Sequence, residues 1–122
     1  MRTKLVFAAL VAVAAGPAQA MDVATFLAKG EVLQQRGPLA MLSGEYREIQ
    51  EASQAAIHDL RQERLAAVAA GRRPAYCPPE HAGLAPQEVI AAMQAVPPGQ
   101  RPRTDIKVAL RNAFARKYPC RR

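Results

Sequence analysis

Residues 39–70 read LAMLSGEYREIQEASQAAIHDLRQERLAAVAA, and this stretch decides the fold class. It contains no proline, its one glycine is Gly44 near the start, and Leu42, Tyr46, Ile49, Ser53, Ile57 and Leu60 follow one another at steps of three or four. That is the period of one helical face. Ser43-Gly44 supplies the cap and Glu45, Glu48 and Glu51 complement the positive end of the dipole, while Gly71 before Arg72 and Arg73 supplies the stop. A helix from about residue 44 to about residue 70 spans about 40 Å, longer than the core of so small a domain. Either its alanine-rich end protrudes or it packs on a partner, a homodimer through the long helix included.

Working outward, Asp22 caps a first helix carrying Val23, Phe26, Leu27 and Leu33, which Gly37-Pro38 ends. Downstream, Arg72 to Leu84 is a loop with Pro74, Pro78 and Pro79. Pro86 then suits the first turn of a helix with Val89, Ile90, Met93 and Val96, stopped by Pro97-Pro98-Gly99. Thr104-Asp105 opens a last helix with Ile106, Leu110, Ala113 and Phe114 on one face and Tyr118 at its end. With no convincing strand, the prediction is an all-α domain of about four helices. Composition agrees: of 122 residues half are hydrophobic, only 5% are aromatic and none is Trp, so the core is aliphatic and thin.

The amino terminus reads differently. Arg2 and Lys4 precede the apolar residues 5–15, then Gly16-Pro17 and Ala18-Gln19-Ala20, the three parts of a secretory signal with cleavage between Ala20 and Met21. The apolar run is too short for a transmembrane anchor, which needs roughly 20 residues. Arg2-Thr3 is not a twin arginine and no cysteine stands at the cleavage site, so neither a Tat signal nor a lipoprotein is indicated. The expectation is a mature domain of residues 21–122 in a periplasm, or secreted beyond it, both oxidising compartments.

Charge is unevenly placed. The whole chain carries +7, but residues 21–71 hold five basic and seven acidic side chains, whereas residues 72–122 hold ten basic and three acidic. Arg103, Lys107 and Arg111 recur every fourth residue along the last helix, with Arg101, Tyr118, Arg121 and Arg122 nearby. Export removes nucleic acid as the usual target, leaving an acidic protein surface or anionic lipid, or simply a solvated helix face. Arg101, Arg103, Lys107, Arg111 and Tyr118 are the candidate partner-binding residues.

Cys77 and Cys120 are the only cysteines, and in an oxidising compartment they predict a disulfide. It closes a loop that the chain-entropy model values at roughly 4 kcal/mol, and it is expected to tie the start of the third helix to the end of the fourth as a clamped hairpin. A zinc site from Cys77, His81 and Cys120 is a poor alternative, with Pro78-Pro79 between the first two. His58 and His81 have no nucleophile at a motif spacing, and Glu48 with Glu51 is better explained as a capped helix start than as an acid-base pair. No catalytic residue, metal ligand or cofactor is predicted, and no enzyme.

Tyr76-Cys77-Pro78-Pro79, the helix with Val89, Ile90 and Met93, then Ala109-Leu110, Phe114 and Tyr118-Pro119-Cys120 together resemble the Tai-type immunity proteins of type VI secretion. These are small periplasmic helical proteins that neutralise cell-wall amidase toxins. The resemblance spans residues 76–120; residues 21–71 lack the further cysteines and the glycine-containing motif usual in that family. It implies a non-enzymatic binding protein whose partner is a peptidoglycan amidase effector, blocked by rigid loops at residues 72–83 and 97–102. The alternative is a periplasmic stress or holdase chaperone, similar in size, helicity and disulfide count to acid-stress chaperones of the HdeA type.

Overall fold

Helix caps do most of the local specification. A computed structural model describes residues 20–121 and contains four α-helices: α1 Val23–Arg36, α2 Gly44–Ala69, α3 Pro86–Gln94 and α4 Ile106–Lys117. Residues 1–19 of the predicted signal segment 1–20, and Arg122, lie outside the described residues. Asp22 accepts the Thr25 backbone N–H at 2.8 Å, Ser43 accepts that of Tyr46 at 3.3 Å, and Asp105 accepts that of Lys107 at 2.8 Å. Each satisfies a helix N–H that has no intrahelical partner. At α3 the Glu88 carboxylate instead reaches back to the Ala85 N–H at 2.6 Å. Gly37 and Gly71 follow α1 and α2 with φ of +60° and +72°, a conformation in which an L side chain is strained.

Ten buried residues form the core: Val23 and Phe26 of α1, Ala56 and Leu60 of α2, Tyr76 of the loop, Met93 of α3, and Ile106, Ala109, Leu110 and Phe114 of α4. α4 supplies the most core residues and packs on α1, α2 and α3, while the backbones of α2 and α3 do not approach closely. The start of α1 is stitched to the start of α4: Ile106 N–H donates to Met21 C=O at 3.0 Å and Val23 N–H to Thr104 C=O at 2.8 Å. Asp22 and Asp105 thus make an isolated β-bridge, and no strand occurs among the described residues. No helix of the described residues is long and apolar enough to cross a membrane.

The buried face of α2 corrects the sequence reading. Ala56, Leu60 and Ala67 are buried, with Ile49 and Ala52 packed partly against the core, whereas Leu42 is 83% exposed and Ile57 faces solvent. Leu60 with the small Ala56 and Ala67 forms the seam, and Leu42 and Ile57 lie off it. Ile90 of α3 is likewise exposed. The disulfide forms, with Cα atoms 4.8 Å apart, but Cys77 lies nine residues before α3 rather than at its start. It therefore clasps the loop after α2 to the end of α4. Cys77 N–H donates to Tyr118 C=O at 2.8 Å alongside it, and the α3–α4 hairpin is joined separately by Lys117 and Glu88.

Candidate functional site

The predicted basic residues are placed along α4 and the turn before it, and each makes at least one hydrogen bond or ion pair within the chain. Arg101 donates to the Val96 and Gln94 carbonyls at 2.8 and 3.0 Å, closing the carboxyl end of α3. Arg103 donates to Gly99 C=O at 3.2 Å. Lys107 and Arg111 converge on the Glu63 carboxylate of α2, and these hydrogen bonds, Lys107's first, hold that carboxyl below its usual range. Tyr118 stacks on Phe114 and donates its hydroxyl to Gly83 C=O at 3.2 Å. Two residues of the stripe, Lys107 and Arg111, thereby also join α4 to α2.

The two loops expected to meet a partner are also tied down. In residues 72–85, Arg73 donates to Cys120 C=O at 2.9 Å and Lys117 to Gly83 C=O at 2.9 Å, in addition to the disulfide. In the turn before α4, the 3₁₀ segment Arg101–Arg103 packs on α1 and Thr104 donates its hydroxyl to Gln100 C=O at 2.8 Å. His58 and His81 are exposed.

The opposite end of α2 is built differently. Between Phe26 and Ala56 no residue is fully buried, and past Leu27, Ile49 and Ala52, which still pack partly against the core, the end of α1, the connection and the start of α2 extend as a two-helix projection. Ion pairs hold its legs in antiparallel register, Lys29 with Glu48 and Arg36 with Glu45. The Arg36 pair is bidentate, Nη1 and Nη2 donating at 3.1 and 3.2 Å. The acidic start of α2 thus pairs with α1 as well as complementing its own dipole.

At the tip, the 3₁₀ turn Gly37–Leu42 presents Leu39, Met41 and Leu42 at 70, 68 and 83% exposure. Its backbone is not loose, since Ser43 N–H and Ser43 hydroxyl both donate to Ala40 C=O, at 3.0 and 2.6 Å. Three large apolar side chains side by side on an ordered turn, with no core behind them, form a small contiguous apolar patch. Sequence periodicity missed it by absorbing Leu42 into the α2 stripe. The usable signal was the apolar PLAML run beside Gly37, where turns are ordinarily polar.

No protein-family model, curated protein or solved structure matches this chain.

Proposed function

We propose that the chain is an exported, non-enzymatic binding protein that inserts the apolar tip at Leu39, Met41 and Leu42 into a cleft of another protein. The observation that carries this reading is the projection itself: a paired helical hairpin that places three exposed apolar side chains away from the core. Burying each is worth roughly 1.5–3 kcal/mol, the scale of an interface hot spot. Residues 29–51 hold three basic and four acidic side chains, so the tip has no cationic collar for an anionic lipid surface. A narrow, partly apolar protein cleft is the occupant that fits.

Immunity to a cell-wall amidase, suggested by the resemblance at residues 76–120, is the specific form of this proposal, with the plugging surface moved from the clamped loops to the tip. The test expresses exported peptidoglycan amidases alone, with the wild-type chain, and with a Met41→Asp, Leu42→Asp variant. Protection by the wild type and lysis with the variant is the expected outcome. Lysis with the wild type for every amidase removes the immunity reading. A holdase reading is favoured by further exposed apolar residues on α2, Ile57, Leu65 and Val68. It predicts suppressed aggregation of reduced insulin in excess over the chain, whereas a dedicated inhibitor leaves that aggregation unchanged.

A further inference from the structure

At the other end of α2 the helix, the loop that follows it and α4 enclose a recess of about 190 Å³. Four arginines line it, Arg64, Arg72, Arg73 and Arg111, with one acidic residue, Glu63. Glu63 is already taken by Lys107 and Arg111, and neither Arg64, Arg72 nor Arg73 enters an ion pair among the described residues. Arg64 is the telling residue. Its Nε is buried and has no hydrogen-bond partner among the described residues. Such a donor is rarely left unmatched, because the lost hydration costs about 1–3 kcal/mol.

The recess is also held in shape. The Arg64 guanidinium stands 5.9 Å over the Tyr76 ring, and Tyr76, 5% exposed, stacks on Phe114 with centroids 4.9 Å apart. Cys77, the next residue, is fastened by the disulfide, and Arg73 spends one N–H on Cys120 C=O, leaving four of its five donors. The carboxyl end of α2 brings about half a negative charge nearby, which the four guanidinium groups outweigh.

We propose that this recess is an oxyanion site that takes a phosphate-type dianion. Planar guanidinium forks pair two oxygens at once, and four arginines around one small recess favour a dianion over a single carboxylate. The volume lies below the roughly 300–1,000 Å³ of ordinary small-molecule pockets, so it suits one phosphate group and not a nucleotide. The group is either free orthophosphate or a phosphate ester at the surface of a lipid. The site is independent of the tip and of the binding role proposed for it.

Isothermal titration of the oxidised full chain at low ionic strength with inorganic phosphate, and with acetate as the monoanion control, tests this. One-to-one saturable phosphate binding is expected, weaker with acetate. Arg72→Gln, an exposed position, and Arg64→Met, which keeps a long side chain over Tyr76, should each weaken it at least about tenfold. Arg47→Gln, toward the other end of α2, should leave it unchanged. Absence of saturable phosphate binding, or equal affinity in the wild type and both recess variants, overturns the proposal. Vesicles of phosphatidic acid in phosphatidylcholine then separate the sources: binding that free phosphate competes away assigns the ester, and no vesicle binding assigns the free anion, each with the site intact.

Discussion

The two ends of α2 show two ways of making a helix end rigid. Toward residue 69 the helix is packed by α4 and by a loop that the Cys77–Cys120 bridge fastens down, with Leu60 1% exposed and Tyr76 stacked beneath Arg64. Toward residue 44 it has only α1 beside it, joined by two ion pairs, and nothing buried. Exposed ion pairs contribute about 0–1 kcal/mol each, so the projection borrows its stability from the core while the other end generates it. A projection of this kind exposes apolar residues at little cost to folding. The clamped end can hold charges in place that would otherwise repel.

The largest effect that separates the ends is removal of the bridge. Cys77→Ser with Cys120→Ser should lower unfolding free energy by roughly 4 kcal/mol in the chain-entropy model, read as a shift of the urea midpoint. An unchanged midpoint would mean that the clasp contributes nothing to the folded domain. Next comes a leucine on each side of the comparison. Leu60→Ala should cost about 2–5 kcal/mol, a core truncation, and Leu42→Ala should stay within about 0.5 kcal/mol. Comparable losses at both positions would show that the tip is packed after all.

Hydrogen exchange sharpens the contrast without any substitution. Amides of residues 30–52 should open at lower free energy than those of α4, since local opening there exposes no buried side chain. Uniform protection along α2 would contradict the division. Smaller again is Asp22→Ala, which removes the α1 cap and should cost about 1 kcal/mol, measured by thermal unfolding.

The pH dependence belongs to the core side. Asp22 is held low by the Thr25 N–H and hydroxyl, Glu63 by Lys107 and Arg111, and Glu88 by the Ala85 N–H and Lys117. Carboxylates depressed in the folded state contribute stability that is fully present above their unfolded pKa, about 4, and is lost as pH falls through the lower folded values. Melting temperature should therefore fall below about pH 4, and Glu63→Gln should flatten part of that fall. The contribution is modest because the groups are largely solvated. Lys117, raised by Glu88, works in the opposite sense and loses its contribution only as pH rises past its ordinary range.

Much of the fold is legible in residues 22–118. Asp22, Ser43, Pro86 and Asp105 mark the four helix starts, and Gly37, Gly71 and Pro97 mark stops, because capping is a local matter of which side chain meets which unpaired N–H or carbonyl. The site was less so. The residues singled out for a partner, Arg101, Arg103, Lys107, Arg111 and Tyr118, each also make a contact within their own chain, and the exposed tip and Arg64 drew no notice. Regular spacing tells that side chains share a face. It does not tell what the face meets.

By itself the sequence determined helix positions, the all-α class, the single possible disulfide and the concentration of positive charge after residue 71, since each depends on neighbours within a few residues or on simple counting. Tertiary structure decided the rest. It put Ala56, Leu60 and Ala67 on the α2 seam and Ile57 off it, left Leu39, Met41 and Leu42 beyond the reach of the core, and gathered arginines from residues 64, 72, 73 and 111 around one recess. Those outcomes depend on interhelix distance and on which elements end side by side, and neither is encoded in the period of a single helix.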